Sequence, residues 1–149
     1  MNLLVPNLGS TSLKYQILEM PSEKVHTYSA KLVEVTSAKP KPEGVAEADW
    51  TKRKNSILLY AYSTNGEQYF NEGKLSPADQ ELRKALPLVE DGSAVKPEVL
   101  FYLGLANYKM EKIQEAVNFF RVCAAVKSPF QAQANKNLVA IRAQYHGVK

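Results

Sequence analysis

Two glycines standing 38 residues apart, Gly66 and Gly104, restrict this chain's fold more than any other feature. The stretches YSTNGEQYFNEGKLSPADQELRKAL (62–86) and LFYLGLANYKMEKIQEAVNFFRVCA (100–124) align around them without a gap. Gly66 pairs with Gly104, Ala78 with Ala116, Leu82 with Phe120, and Ala85 with Cys123, always at an offset of 38. A glycine inside a helix costs about 1 kcal/mol relative to alanine, so its recurrence asks for a compensating reason. Close approach of a second helix supplies one: a small residue twelve positions later faces the glycine, and a large apolar residue one turn on fills the space between the helices. Each copy therefore reads as a helix–turn–helix unit.

The punctuation around the copies agrees. From about residue 46, Trp50, Ile57, Leu58, Ala61, Tyr62, Tyr69 and Phe70 recur at threes and fours, the spacing of a helix face. Ser76-Pro77 reads as an N-cap with proline at the first helical position. Gly92 and Pro97 bracket a further break. Ser128-Pro129 opens a last helix that runs to about Tyr145, and Gly147 follows as a stop. The pattern predicts about five helices over residues 46–149, joined by short loops.

With its spacing, this repeat resembles the tetratricopeptide repeat (TPR), a 34-residue helix–turn–helix with the signature W-x2-L-G-x2-Y, then A-x3-F, then P. The second copy carries Leu103-Gly104, Ala116 and Phe120 at family spacing; the first carries Gly66, Tyr69, Ala78 and Ala85. The tryptophan position holds Tyr62 and Leu100, Asn65 replaces the first leucine, and Asn107 replaces the second tyrosine. The segment EDGSAVKP accounts for a repeat four residues longer than the family's. The resemblance covers about residues 56–127, with 129–145 as a capping helix; an unrelated helical bundle is the alternative. It implies repeat packing by Gly66, Ala78, Leu82, Ala85, Gly104, Ala116, Phe120 and Cys123. It also implies a groove lined by Ser63, Glu67, Phe70 and Asn71 from the first copy and Phe101, Leu105, Tyr108 and Lys109 from the second.

Residues 1–35 have another texture. Leu3-Leu4-Val5 is a short apolar run, Gly9-Ser10 supplies a turn, and Leu13, Tyr15 and Ile17 alternate. Pro21-Ser22-Glu23-Lys24 reads as a second turn, and Val25 to Val35 alternates roughly with period two. Three strands in a β-meander are the expectation, followed by a proline-containing linker at 36–45. The predicted fold class is thus α+β: a small three-stranded meander, then a mostly helical hairpin array.

The segment NLGSTSLK also resembles the opening signature of acetate kinase and its relatives, N-x-G-S-[ST]-S-x-K behind an apolar strand, with Pro6 as a departure. That resemblance implies phosphate binding by Asn7, Ser10, Ser12 and Lys14. Backbone N–H groups and hydroxyls can cradle an anion. Phosphoryl transfer, however, depends on positioning and charge from many parts. The rest of the chain offers no second glycine-rich loop and no acidic metal cluster.

Charged residues make up 23% of the sequence, which is ordinary for a globular chain, and apolar residues 45%, enough for a core. The net charge of +4 is mild, and the densest basic clusters, Lys52-Arg53-Lys54 and Lys39-Pro40-Lys41, lack the interleaved aromatics of a nucleic-acid binder. Cys123 is the single cysteine, so no internal disulfide forms. No signal peptide and no run of 18 apolar residues is present, which reads as cytoplasmic. The resulting expectation is a protein–protein interaction module without catalysis, cofactor or metal, binding a peptide or protein and neither nucleic acid nor membrane. The alternatives are an acetate-kinase-like fragment binding phosphate or nucleotide, and a structural protein that self-associates as a homodimer.

Overall fold

The computed structural model describes residues 21–147. Among them the regular elements are six α-helices and one short 3-10 turn: α1 (Ser22–Ala38), α2 (Glu47–Asn71), α3 (Leu75–Ala85), the 3-10 turn Leu86–Leu88, α4 (Val95–Lys109), α5 (Ile113–Ala124) and α6 (Gln131–Gln144).

No strand occurs among the described residues, and the α+β expectation is incorrect. The third strand of the expected meander, Val25 to Val35, lies wholly within α1. The reason is the buried stripe Val25, Ser29, Leu32 and Thr36, spaced by four, three and four, which places all four side chains on one helical face. That face packs on α2 beside Ile57, Tyr60 and Ala61. Packing of one face decides for helix over the modest β preference of its valines and threonines. The first two expected strands fall in residues 1–20, outside the described residues. The helix also carries on into the expected linker, so the irregular connection is 39–46.

Each helix packs against its neighbours in sequence, and α2 additionally touches α4. Three apolar clusters follow one another along the array. Val25, Leu32 and Ala61 join α1 to α2. Leu59, Leu82, Ala85, Val99 and Leu103 join α2, α3 and α4. Leu100, Ala116, Val117, Phe120, Cys123, Ala134, Leu138 and Ile141 join α4, α5 and α6. A chain whose core is a string of neighbour contacts is a quasi-one-dimensional stack.

The 38-residue offset is visible in the backbone. The turns after α2 and α4 both take three residues, 72–74 and 110–112. In the first, Gly73 N–H donates to Phe70 O at 2.9 Å and Lys74 N–H to Tyr69 O at 2.9 Å. In the second, Glu111 N–H donates to Tyr108 O at 3.0 Å and Lys112 N–H to Asn107 O at 2.9 Å. Both turns need a left-handed residue, Gly73 at φ 75° and Glu111 at φ 63°. Glycine adopts that conformation freely, whereas a side chain pays about 1 kcal/mol or more there. Glu111→Gly is therefore expected to stabilise the fold by about 0.5–1 kcal/mol, since relief of the left-handed strain outweighs the extra chain entropy. Chemical denaturation of the two proteins checks this, and an unchanged or lower midpoint would refute it.

The helix starts differ from expectation at α3 and at α6, which begins at Gln131 and not at Ser128-Pro129. Helix α3 begins at Leu75 with Lys74 as N-cap, so Ser76 and Pro77 sit inside the first turn, where proline is tolerated. Pro97 occupies the corresponding first turn of α4. Ahead of α6, the Ser128 hydroxyl accepts from Phe130 N–H at 3.3 Å. No helix among the described residues is long and apolar enough to cross a membrane.

Candidate interaction groove

The repeat glycines set where the second helix of each pair can lie. A Cβ on Gly66 would stand 2.6 Å from Leu82 Cγ, and one on Gly104 would stand 2.6 Å from Phe120 Cε1. Ala78 and Ala116 are fully buried, Leu82 and Phe120 nearly so, and Ala85 and Cys123 complete the two faces. Helices α3 and α5 thus pack tightly on one side of α2 and α4. The first helices of the two units meet side by side, leaving their remaining side chains on a shared face.

On that face three contacts cross from α2 to α4. The Tyr102 hydroxyl donates to Glu67 Oε1 at 3.0 Å. Phe70 and Tyr102 pack edge to face at 5.4 Å. Lys109 Nζ stands 5.0 Å from the Phe70 ring centroid, a cation–π arrangement. Burial, with the Glu67 carboxylate beside it, pushes the Tyr102 phenol well above its ordinary range and keeps it a donor.

Of the other residues assigned to the groove by sequence, Ser63 is half-buried, its hydroxyl donating to Tyr60 O at 3.4 Å, and Asn71 is exposed at the end of α2. Phe101 contacts the rings of Phe120 at 5.9 Å and Phe130 at 5.3 Å, so one side of it belongs to the core. Leu105 is half-buried against the same cluster. Tyr108 donates to Gln144 Oε1 at 2.8 Å, tying α4 to the end of α6. Tyr102, which makes two of these three contacts, is not among the groove candidates assigned from the sequence. Its signal was present in the sequence, one position after Phe101, where only a rotation of about 100° separates face from flank.

Two polar clusters stand beside the face. Between α1 and α2, the His26 ring stacks on Tyr69 with centroids 3.8 Å apart, Nδ1 is 2.5 Å from Asn65 Oδ1, and Nε2 is 2.9 Å from Glu72 Oε1. His26 is thus half-buried at a helix contact. Lys74, then Gln68 and His26, hold the Glu72 carboxyl down at about 2 by hydrogen bonding to its charged form. Between α3, α4 and α5, Asp79 accepts from Asn107 Nδ2 at 2.6 Å and from Arg83 Nε at 2.9 Å, and Arg83 also pairs with Glu115.

A separate polar recess of about 240 Å³ lies between α2 and the segment before α4, lined in part by Lys52, Ser56 and Tyr60. Lys52 and Glu90 pair there at 3.5 Å. Cys123 is buried and donates to Pro97 O at 3.3 Å; burial pushes its thiol up to about 11, so the reactive thiolate is scarce near neutrality. No group of three His, Cys, Asp or Glu among the described residues comes together as a metal site. The phosphate-loop candidates Asn7, Ser10, Ser12 and Lys14 lie outside the described residues. Comparison of the chain with protein-family models, curated proteins and solved structures gave no significant match.

Proposed function

We propose that this protein is a TPR-type interaction module, working in the cytosol, that binds a peptide or a partner protein along the shared face of α2 and α4 and performs no catalysis itself. The observation that carries the reading is the bridge of Glu67, Phe70, Tyr102 and Lys109 across the two helices. It offers, side by side, an aromatic surface, a buried-edge hydroxyl and an exposed cation. Large rigid aromatics with a charged neighbour are the residue types that carry binding energy at interfaces. Their backbones are fixed by tightly packed second helices, so little ordering is needed on binding. An extended segment or one helix turn of a partner fits such a face better than a small molecule does.

The test is a peptide display selection on the intact protein, followed by titration of the enriched peptides. The variant Phe70→Ala with Lys109→Glu changes exposed or half-exposed positions, so its melting temperature is expected to stay close to that of the parent. Affinity for selected peptides is expected to drop about tenfold or more, the effect of removing an interface anchor. Peptides that bind the variant as tightly as the parent would overturn the reading.

A further inference from the structure

The outer face of α6 carries exposed apolar side chains. Its buried stripe is Ala134, Leu138 and Ile141. The stripe opposite, Ala132, Lys136, Val139 and Ala143, is spaced by four, three and four, and each of its residues is exposed. Val139 is 67% accessible, the most exposed large apolar side chain among the described residues. Apolar residues therefore stand on both sides of the helix. Stacked helical arrays close with a polar outer face. Helix α1 turns Lys24, Thr27, Lys31 and Glu34 outward beside Ala30, whereas the outward stripe of α6 holds one charged residue, Lys136, among three apolar ones.

The charge distribution says what would cover it. The chain has 19 Lys and Arg against 15 Asp and Glu. After Glu115 come five basic residues (Arg121, Lys127, Lys136, Arg142 and Lys149) and no acidic one. Residues 1–115 thus hold 19 − 5 = 14 basic and 15 acidic residues, a balance of −1, so the whole positive charge belongs to the last 34 residues. Lys136 lies in the outward stripe and Arg142 flanks it, both exposed; the ion pairs among the described residues lie elsewhere.

We infer that the outer face of α6 docks an acidic amphipathic helix of a partner protein. Alanines at 132 and 143 let a second helix axis approach closely, and interaxial distance follows side-chain size. Val139 offers the apolar contact, and Lys136 with Arg142 attract carboxylates along its edge. A second copy fits poorly: pairing α6 on α6 sets Lys136 and Arg142 against their own like, and on α1 the outward Glu34 is paired with Lys31. A bilayer fits poorly too, since helices that lie in membranes carry several Trp, Phe or Leu on the inserted side, and here one valine stands out. This surface is separate from the α2–α4 face, so it survives or fails on its own.

The probe is a pair of labelled helix-stapled peptides with one leucine face, flanked by glutamates in the first and by lysines in the second. Both are titrated by fluorescence anisotropy against the full chain at low salt, beside single-stranded DNA and phosphatidylserine vesicles. The glutamate peptide is expected to bind at least about tenfold tighter than the lysine peptide and to weaken as salt rises. Lys136→Glu with Arg142→Glu, and separately Val139→Asp, are expected to weaken it by about tenfold while the groove variant Phe70→Ala with Lys109→Glu leaves it unchanged. Backbone amide shifts should move along 132–143. The inference is overturned by equal or absent binding of the two peptides, or by shifts confined to α2 and α4. Tighter binding to DNA or vesicles than to the glutamate peptide overturns it as well, as does self-association that the charge-reversed variant leaves intact.

Discussion

Phe120→Ala is expected to destabilise the protein by about 3–5 kcal/mol, the range for deleting a buried aromatic ring. Phe120 is 1% exposed and lies against both Phe101 and Gly104. The more discriminating result concerns Gly104→Ala. In the parent its Cβ would meet three Phe120 ring atoms at 2.6, 2.7 and 2.9 Å. The buried ring, packed against Phe101, would have to shift, so overpacking of about 1–3 kcal/mol outweighs the gain of about 1 kcal/mol from replacing a helical glycine. In the Phe120→Ala background those ring atoms are gone. The same Gly104→Ala change should then stabilise by about 1 kcal/mol, a reversal of sign. At Gly66 the reversal should be weaker. Leu82→Ala removes the side-chain clash at 2.6 Å, but the Leu82 backbone N still stands 3.2 Å from the added methyl. Urea denaturation of the four single and two double variants measures this. Additivity of both pairs within about 0.5 kcal/mol would mean that the glycines are not there for helix approach.

These contacts explain why the helical part was legible in the sequence. Close approach leaves a small residue at a fixed position, and its large partner follows at another, so a repeated geometry becomes a repeated spacing. The turns after α2 and α4 obey the same logic, although Glu111 conceals the second left-handed position from any search for glycine. Helix α1 was illegible for the converse reason. Its buried stripe contains Ser29 and Thr36 beside Val25 and Leu32, so half of the core-facing positions are polar. Counting apolar residues finds no period of 3.6 there, and the alternation of valines and threonines suggests strand instead. Pro21-Ser22-Glu23-Lys24, read as a turn, is the approach to the helix, with Lys24 N–H donating to Pro21 O at 2.8 Å. What decides α1 is the face that α2 presents, and that information lies 30 residues or so further along the chain. In the candidate groove, the residue types and the helices carrying them were readable. The bridge through Tyr102 depends on helix rotation, which spacing alone does not fix.

The largest polar effect is expected at Asn107, which stands where the first copy has Tyr69. Asn107 is fully buried and donates to both Asp79 Oδ1 at 2.6 Å and Leu103 O at 2.9 Å. Asn107→Leu would keep the volume but leave one oxygen of a 7%-exposed carboxylate without its donor. An unsatisfied buried group of this kind costs about 1–3 kcal/mol, more when charged, so a loss of about 3 kcal/mol is expected. Asp79→Ala should cost less, about 2 kcal/mol, because Asn107 keeps its bond to the Leu103 carbonyl. The contact of Arg83 with Glu115 adds little, since both side chains keep over 40% of their surface in solvent. Together the two substitutions remove a donor and its acceptor at once, and the double variant should be more stable than the sum of the singles by about 1–2 kcal/mol. Denaturation midpoints of the three variants decide it; a double variant that simply adds would show that Asp79 and Asn107 act separately. The site carries more than local stability. Asp79 and Arg83 belong to α3, Asn107 to α4 and Glu115 to α5, so this network joins the first helical pair to the second, as the Tyr102–Glu67 bond does on the other face. In a stack held by neighbour contacts, weakening one junction uncouples the units on either side of it. Asn107→Leu should therefore broaden the unfolding transition as well as lower it, with the α1–α3 half melting before the α4–α6 half, whose apolar cluster is the larger.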